Sequence, residues 1–323
     1  MNIINLITMT TQQLDKIKGL FFGQAIGDAL GLGSEFLNKK QVKVYYPEKL
    51  TKYSQIIQDS FRKQWEIGEW TDDTDQFLCI CDSIIKTKKV DINAFAKELF
   101  NWAQQSPVDI GITVNSVVSN PNFLEDPFKC SKEVWEESGR DAAANGAIMR
   151  TSILGAYEFW NYEKVISNTE KIAKVTHWDP RCVGSSVIIS LIIANLIKEN
   201  RLLSMRELIE IGDRYDNRII YYIEQSAQNR ISGLFLDEEG VIGYTLLALS
   251  AGLWAYNHAK DFESGLISVI NEGGDADTNG CITGSVLGAK FGYSTIPKHL
   301  IDGLKNKSII ENKFEEFIKL LEV

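Results

Sequence analysis

Two short acidic segments carry the side chains best suited to chemistry. The first, residues 273–280, reads Gly-Gly-Asp-Ala-Asp-Thr-Asn-Gly and places carboxylates, a hydroxyl and an amide ahead of an apolar helical run. Proteins usually bind a hard divalent cation with oxygen donors of this kind. Asp275 and Asp277 match the first ligands of an EF-hand calcium loop, but Val286 occupies the position of its bidentate glutamate. The segment therefore predicts a metal site whose other ligands lie elsewhere in the chain.

The second acidic segment follows Trp70 and reads Thr-Asp-Asp-Thr-Asp at residues 71–75. Thr71 or Asp72 is a typical N-cap, and carboxylates in a first helical turn are favoured by the helix dipole. Capping explains one or two of the carboxylates. Three aspartates within four positions repel one another, and a bound cation is the simplest compensation. We therefore favour a metal-binding role for this segment over capping alone.

For several other polar residues, an ordinary structural role is the alternative to a functional one. Asp28 and Glu35 would by default be solvated or capping carboxylates, and His177, between two helices, is more often a cap than a ligand. Residues 139–150 are rich in small side chains, which leave backbone amides approachable as a phosphate-binding loop requires, although no Walker motif is present. Arg150, at the end of this loop, would either bind an anion or form a structural ion pair.

The composition of the whole chain limits the classes of function. With 323 residues, 44% of them hydrophobic, the chain can bury a sizeable core. Its net charge of −9 and pI near 5.1 argue against a nucleic-acid surface, because such surfaces rely on Lys and Arg. Five cysteines without a CxxC pair favour reduced thiols in a cytoplasmic protein, and the apolar start lacks the basic residues of a signal peptide. We expect no membrane span, because the apolar run at residues 187–196 is too short.

Glycines at intervals of four residues mark two helices that approach each other closely. The first series is Gly19, Gly23, Gly27 and Gly31, and the second is Gly280, Gly284 and Gly288. Each glycine inside a helix costs about 1 kcal/mol relative to alanine, so we infer that small residues are needed where the two helices pack together. Two separate domains would not share such a contact. We therefore predict a short tail at residues 1–10 and one compact domain at residues 11–323.

The remaining pattern is helical, and strand signals are scarce. Residues 40–68 are predicted to form a surface loop, and residues 116–138 a long loop with short helices. Residues 202–228 have an amphipathic helical pattern, and residues 238–256 are predicted to form one largely buried helix. These patterns together predict an all-α fold.

Five motifs resemble, in order and spacing, those of the ADP-ribosylglycohydrolase family. They are GDALG at residues 27–31 with Glu35, WTDDT at residues 70–74, NGAIMR at residues 145–150, THWDP at residues 176–180 and GDADTN at residues 274–279. The resemblance runs from about residue 16 to about residue 293. It implies a single orthogonal multi-helix domain whose cleft holds two divalent cations, Mg²⁺ or Mn²⁺. The ligands that it implies are Thr71, Asp72, Asp73, Asp275, Asp277 and Thr278.

The resemblance also implies the substrate and the roles of the neighbouring residues. The substrate is an ADP-ribosylated protein or small molecule, whose diphosphate would lie against Asn145 and Gly146 while the cations orient the distal ribose and a water molecule. The residues implied in catalysis are Glu35, Asp73 and Asp109, with Glu35 preferred over Asp109 as the general base. The residues implied in substrate binding are Asn145, Gly146, Arg150, His177 and Gly274. Three alanines precede Asn145 where some relatives carry Ser, Tyr or Gly, which favours backbone contacts over side-chain contacts there.

Several functions are compatible with these residues. The resemblance favours a hydrolase that releases ADP-ribose, with arginine preferred over serine, another ADP-ribose unit or a nucleobase as the acceptor. An ADP-ribosyltransferase would then be its functional counterpart. A binding or immunity protein that counters an ADP-ribosylating toxin is the alternative of another class, although the complete set of ligands argues against lost activity. A metal-dependent phosphohydrolase is the other enzyme class, and it would release phosphate instead of ADP-ribose.

Overall fold

The computed structural model describes residues 9–228 and 230–321. In these ranges the only extended pairing is an isolated β-bridge between Ala144 and Tyr244. The α-helices are α1 Thr11–Gly31, α2 Lys39–Tyr45, α3 Asp72–Thr87, α4 Ile92–Ala103, α5 Ile112–Val118, α6 Pro127–Glu137, α7 Tyr162–Lys174, α8 Pro180–Glu199, α9 Met205–Gly212, α10 Arg218–Ser226, α11 Thr245–His258, α12 Phe262–Ile270, α13 Ala276–Phe291, α14 Lys298–Gly303 and α15 Lys307–Leu321. Short 3-10 helices lie between them at Leu32–Ser34, Tyr53–Gln55, Arg62–Gln64, Thr151–Gly155, Ile231–Leu234 and Tyr293–Thr295. The predicted all-α fold is confirmed.

The start of α1 is fixed by a capping box. The Thr10 hydroxyl accepts a hydrogen bond from the Gln13 amide at 3.1 Å, and the Gln13 side chain accepts one from the Thr10 amide at 2.9 Å. Residues 1–8 of the predicted tail lie outside the described residues. From Gly19 onward every residue of α1 is buried, so most of this helix runs through the interior.

Backbone contact between α1 and α13 forms the centre of the fold, and we call this contact the glycine seam. The facing pairs are Gly19 with Gly288, Gly23 with Gly284, Gly27 with Gly280 and Gly31 with Ala276. This order shows that the two helices run antiparallel. A Cβ atom added to Gly23 would lie 2.1 Å from the carbonyl oxygen of Gly284, so no side chain fits between the helices. The predicted close packing of the two glycine series is confirmed.

The glycine seam decides which polar residues meet. Because the helices are antiparallel, the C-terminal end of α1, with Asp28, lies beside the start of α13, with Asp275 and Asp277. The first helical residue of α3 is Asp72, and α3 packs against both α1 and α13. Three chain segments that are remote in sequence therefore converge at one end of the seam.

Helix α8 is a long apolar helix of the core. By length and composition it could cross a membrane, but 94% of its most apolar window is buried inside the protein. It packs against α7, α11 and α13. The helix is longer than the apolar run singled out in the sequence, because Asp179 caps it and Pro180 opens its first turn.

Two segments predicted as loops contribute more to the structure than their composition indicates. Residues 40–68 carry buried side chains, including Arg62 at 2% exposure and Trp65 at 5%. Their polar composition is misleading because the buried groups are scattered without a helical or strand period. Residues 116–138 contain the whole of α6, which Asp126 caps by accepting a hydrogen bond from the Lys129 amide.

Two helical predictions are wrong in their boundaries. The helix predicted at residues 238–256 begins only at Thr245, because Gly240 and Gly243 have φ angles of +84° and +83°. This left-handed backbone cannot continue a right-handed helix. The amphipathic pattern at residues 202–228 belongs to two short helices, α9 and α10, which a turn separates.

Replacing a seam glycine tests this packing. Gly284→Ala should lower the free energy of unfolding by about 2 kcal/mol or more, because the new methyl group would meet backbone and not a movable side chain. It would lie 2.0 Å from the carbonyl oxygen of Gly23. The helix propensity of alanine, worth about 1 kcal/mol, does not offset this clash.

The control is Gly111→Ala, since nothing lies within 4 Å of a Cβ added there. We expect it to change the free energy of unfolding by less than about 0.5 kcal/mol. Urea unfolding followed by circular dichroism measures both variants. Equal unfolding midpoints for the two variants would contradict the seam.

Candidate active site

A cavity of about 340 Å³ opens where the three segments converge. Ten of the thirteen predicted site residues line it, namely Glu35, Asp72, Asp73, Asp109, Asn145, Gly146, His177, Asp275, Asp277 and Thr278. The other three, Thr71, Arg150 and Gly274, are not among the residues that line this cavity. The structure therefore brings most of the predicted residues into one site and gives the other three supporting positions.

Carboxylates crowd one part of the cavity wall. One oxygen from each of Glu35, Asp275 and Asp277 lies within 4.8 Å of the other two. Glu35 Oε2 and Asp73 Oδ1 are buried and have no hydrogen-bond partner among the described residues. Buried polar atoms without a partner are rare in native proteins, so these two atoms point to a ligand. A donor set made only of oxygens suits Mg²⁺ or Mn²⁺.

Burial and mutual repulsion raise the pKa values of these carboxyl groups. The pKa of Glu35 lies well above its ordinary value because of burial first, and then because of the charges of Asp275 and Asp109. The pKa of Asp277 is raised by burial and then by the charges of Glu35 and Asp73. Holding these carboxylates together in their ionised form therefore costs the folded protein free energy. A bound divalent cation would reduce this cost.

Asp28 holds the second acidic segment in place. Its Oδ1 accepts hydrogen bonds from the amide and the hydroxyl of Thr71, both at 2.9 Å. Its Oδ2 accepts from the amide of Thr74 at 2.9 Å and from its hydroxyl at 2.6 Å. Thr71 is the N-cap residue of α3, as predicted, but its side chain does not cap the helix, and Asp28 of α1 supplies the capping carboxylate instead.

The same contact leaves the Thr71 oxygen available to a ligand. A hydroxyl has one hydrogen to donate, and the shortest acceptor for it is Asp28. The lone pairs of Thr71 Oγ1 then remain on the side of Asp73 and Asp277, whose nearest carboxylate oxygens are each 3.4 Å away. Thr71 can therefore act as a ligand although it does not line the cavity.

Arg62 positions Glu35 and was not predicted. Its Nε donates to the carbonyl oxygens of Leu32 and Gly33 at 3.0 and 2.9 Å, and its Nη2 donates to the carbonyl oxygen of Glu35. Asp59 accepts a hydrogen bond from Arg62 Nη1 at 2.6 Å. The only sequence signal was an Asp–Arg pair at a spacing of three, which is common on protein surfaces.

Gly274 aligns the segment of Glu35 with the start of α13. Its amide donates to the carbonyl oxygen of Leu37 at 2.8 Å, and its carbonyl accepts from the amide of Phe36 at 2.7 Å. Its φ angle is +73°, and a Cβ atom there would lie 1.9 Å from the carbonyl oxygen of Leu236, so only glycine fits. Gly274 was predicted to bind substrate, but its backbone groups are already paired within the protein.

The predicted phosphate-binding loop forms another part of the cavity wall. The Asn145 amide donates to the carbonyl oxygen of Gly243 at 2.9 Å, and Asn145 Nδ2 donates to Asp275 Oδ2 at 2.7 Å. A helical turn begins here, since the Met149 amide donates to the Asn145 carbonyl oxygen at 3.2 Å. The amides of residues 146–148 donate to no carbonyl oxygen in the described part of the chain. Gly146 lines the cavity, whereas Ala147 and Ile148 are fully buried and do not, so the Gly146 amide is the one that can donate to an anion there.

His177 and Arg150 lie one behind the other next to this loop. The His177 ring lines the cavity, and its Nε2 is buried without a partner among the described residues. Burial, and then the charge of Arg150, lower the pKa of His177 to about 3, so the ring is neutral. Arg150 is fully buried and donates to Gln76 and Thr176. It therefore neither clamps an anion in the cavity nor forms an ion pair with a described residue, which were its two predicted roles.

Apolar side chains at the cavity mouth were also missed. Phe36, Ile112 and Ile242 line the cavity and are 53%, 87% and 37% exposed. Exposed apolar surface next to convergent polar groups is typical of a ligand site. Phe36 and Ile242 lie in connecting segments and Ile112 opens α5, so none of the three belongs to a periodic apolar pattern that would select it from the sequence.

An all-helical fold that directs oxygen donors from remote helix ends into one cavity defines a class of protein, a helical enzyme with an acidic active site. A sequence model of the ADP-ribosylglycohydrolase family matches residues 9–322. The chain therefore belongs to the ADP-ribosylglycohydrolase family, and it is a glycosyl hydrolase by class.

Individual relatives agree with this assignment. An ADP-ribosylarginine hydrolase of Serratia proteamaculans is 28% identical over 95% of this chain and 80% of its own length. The ADP-ribosyl-[dinitrogen reductase] glycohydrolase of Rhodospirillum rubrum is 25% identical over 91% of both chains. A solved structure described as an ADP-ribosylglycohydrolase-related protein complex superposes with a TM-score of 0.76 at 22% identity. The superposition covers 96% of this chain and 99% of that one, and it supports the fold.

The hydrogen bonds to Asp28 can be tested with a pair of buried threonines. Thr74→Val removes a hydroxyl that donates to the Asp28 carboxylate at 2.6 Å and leaves the volume nearly unchanged. Burial raises the pKa of Asp28 to about 7, so at pH 8, where it is charged, we expect the free energy of unfolding to fall by about 1.5–3 kcal/mol, the usual worth of a hydrogen bond to a charged group.

Thr169→Val is the matched control. Thr169 is equally buried, but its hydroxyl donates only to the Val165 carbonyl oxygen within α7. We expect a loss of about 1 kcal/mol or less. Thermal and urea unfolding compare the two variants, and a Thr74→Val loss no larger than that of the control would refute the role of Asp28.

Proposed function

We propose that this protein hydrolyses the glycosidic bond between ADP-ribose and an acceptor, preferably an arginine side chain of an ADP-ribosylated protein. The observation that carries the proposal is the pair of buried, unpartnered carboxylate oxygens, Glu35 Oε2 and Asp73 Oδ1, on two residues that line one cavity. Membership of the family supplies the substrate class, and the name of the Serratia proteamaculans relative, an ADP-ribosylarginine hydrolase, supplies the arginine preference.

The residues present fit a centre of two Mg²⁺ or Mn²⁺ ions. The proposed ligands are Thr71, Asp72, Asp73, Asp275, Asp277 and Thr278, with Glu35 beside them. All are oxygen donors, and the orphaned oxygen of Asp73 and the free lone pairs of Thr71 are what a bound cation requires. Such ions, when bound, would orient the ribose hydroxyls and increase the acidity of a water molecule.

The chain itself would bind the diphosphate and move the proton. The Gly146 amide and the Nε2 edge of His177 are the available hydrogen-bond donors for phosphate oxygens, because both residues line the cavity and neither group donates within the described chain. Glu35 is the preferred general base, because it is buried beside Asp275 and Asp277 and one of its oxygens is unpartnered. Asp109 is the second candidate, and it lies partly exposed in the cavity wall.

The charge of the cavity favours a cationic acceptor. Five aspartates, including Asp109, and one glutamate line the cavity. No lysine or arginine is among its lining residues in the described chain. A guanidinium group leaving from ADP-ribose would therefore meet only negative or neutral side chains. The reaction products distinguish the alternative functions from this proposal. A phosphohydrolase of the same fold would release phosphate, and a binding protein would release no product.

The reaction can be tested on a panel of substrates with defined linkages. In the presence of Mg²⁺ or Mn²⁺, mass spectrometry should detect ADP-ribose released from ADP-ribosyl-arginine in preference to serine-linked, nucleobase-linked and polymeric substrates. Asp73→Asn combined with Asp275→Asn should lower the rate at least about 10³-fold, because both carboxylates are proposed ligands.

Asp213→Asn is the control for this double variant, because Asp213 is exposed and far along the chain from the site. It should keep the wild-type rate. Wild-type turnover by the double variant would exclude the proposed mechanism. Release of inorganic phosphate without ADP-ribose would identify a phosphohydrolase instead.

Cation binding should be visible in thermal stability and should depend on pH. Burial first, and then mutual repulsion, holds the folded-state pKa values of these carboxyl groups above their ordinary ones. At low pH the groups are protonated in both states and cost nothing, and their ionisation destabilises the fold as pH rises. Mg²⁺ or Mn²⁺ should therefore raise the Tm more at pH 8 than at pH 5, where protons compete with the cation. At a cation concentration of a hundred times Kd the gain would be about 2.7 kcal/mol.

Differential scanning fluorimetry at the two pH values measures this effect. Asp275→Asn combined with Asp277→Asn should abolish the cation-dependent rise in Tm, and Asp213→Asn should retain it. An equal rise in the double variant would show that the cation binds elsewhere.

A further inference from the structure

Four buried polar side chains connect the acidic cluster to another part of the cavity wall, and we call them the polar chain. In order they are Gln76, Arg150, Thr176 and His177. Gln76 Nε2 donates to Asp72 Oδ2 at 2.7 Å, and Gln76 Oε1 accepts from Arg150 Nη1 at 2.6 Å. Arg150 Nη2 donates to Thr176 Oγ1, which lies 2.8 Å from His177 Nδ1. All four side chains are at most 1% exposed, and only His177 lines the cavity.

The arginine determines the direction of every hydrogen bond in the polar chain. A guanidinium group has donors and no acceptor, so the oxygen of Gln76 must face Arg150 and its nitrogen must face Asp72. Thr176 Oγ1 likewise accepts from Arg150, and His177 Nδ1 is the one acceptor that the Thr176 hydroxyl hydrogen reaches among the described residues. Nδ1 of His177 is then an acceptor, and the single proton of the neutral ring lies on Nε2.

We propose that Arg150 is a positioning residue that, through Thr176, holds His177 in the tautomer with its proton on Nε2, so that the cavity presents a hydrogen-bond donor to an anionic oxygen of the substrate. This proposal rests on the proposed function, in which that oxygen belongs to the diphosphate. A Cβ atom added to Gly146 would lie 3.1 Å from Nε2, so this nitrogen borders the loop whose Gly146 amide is also free to donate. The His177 Nε2 donor and the Gly146 amide therefore lie in neighbouring parts of the cavity wall.

The position of Arg150 explains how a cavity without basic lining residues accepts an anion. Burial lowers the pKa of Arg150 only to about 10, so it is charged at neutral pH, and its guanidinium carbon lies 5.2 Å from the centre of the Phe95 ring. Its charge is held behind Thr176 and His177 and cannot pair with the carboxylates of the cation site. A direct Arg–carboxylate pair in the cavity would occupy oxygens that the cations need.

Side-chain ¹⁵N NMR of protein labelled at histidine tests the tautomer without requiring activity. The chain has only three histidines, so His258→Gln and His299→Gln identify the signals of His177 by elimination. We expect His177 to be neutral with its proton on Nε2 from pH 5 to pH 8. Thr176→Val should give a mixture of tautomers, and Thr176→Ser should restore the wild-type signals. A wild-type ring with its proton on Nδ1 would overturn the proposal.

Kinetics test whether the tautomer serves substrate binding. Thr176→Val should raise KM for the ADP-ribosylated substrate about tenfold or more and change kcat by less than about twofold, as expected for the loss of one hydrogen bond to a charged group. Thr176→Ser should recover the wild-type KM, and Arg150→Met should behave like Thr176→Val if it folds. An equal KM for the valine and serine variants would overturn the proposal.

The two proposals fail in different ways. If wild-type protein releases no ADP-ribose from any substrate, the proposed function fails. The role of Arg150 is then tested by calorimetric titration of free ADP-ribose, whose Kd replaces KM in the comparison of the two Thr176 variants. If wild-type protein is active but Thr176→Val binds and turns over substrate like Thr176→Ser, only the role of Arg150 fails. The threonine pair carries this test even where Arg150→Met does not fold.

Discussion

Backbone contact between α1 and α13 is the constraint on which the rest of the structure depends. Two helices without side chains between them can approach to a distance that no pair with alanine or larger residues could reach. This approach sets Gly31 against Ala276, so Glu35, which follows the end of α1, is brought near Asp275 and Asp277 at the start of α13. The glycines lower the helix propensity of both elements, and burial of both helices in the core compensates for that loss. Stability and the assembly of the site are thus consequences of the same contact.

The seam also creates the main electrostatic problem of the protein. It collects carboxyl groups in a buried region, where like charges raise one another's pKa values. One of them, Asp28, is satisfied within the protein by four hydrogen bonds from Thr71 and Thr74. Glu35 and Asp73 are not, because each keeps a buried oxygen without a partner. This contrast separates a carboxylate that organises structure from the two that we propose as part of the active site, although all three are buried to a similar degree.

The fold class, the glycine seam and the polar half of the cavity lining were predictable from the sequence because each of these leaves a local signature. The signatures are a period of four in the glycines and short motifs of acidic residues at helix starts. The sequence could not predict the roles of Arg62 and Arg150, because both act on groups distant in sequence. Arg62 has no signal beyond a common Asp–Arg spacing, and Arg150 stood out in the NGAIMR motif but with a different expected role. The boundary of α11 was missed for a different reason, since helical composition before Thr245 is overruled by two glycines in the left-handed region. Long-range hydrogen bonds and positive φ angles are properties of the folded chain, and they therefore become visible only in the structure.

Arg62 and Arg150 solve one problem in the same way. Each is nearly or fully buried, each lies outside the cavity lining, and each fixes a residue that does line it. Arg62 does so through the backbone of the segment that carries Glu35, and Arg150 through the hydroxyl of Thr176. Placing these cations in the cavity would neutralise the carboxylates and remove their affinity for divalent ions. Placed one layer behind, the arginines make the polar groups rigid while the carboxylates stay free. In the proposed function, this arrangement would let an acidic cavity bind both metal cations and an anionic diphosphate, since each charge would meet its own set of donors or acceptors.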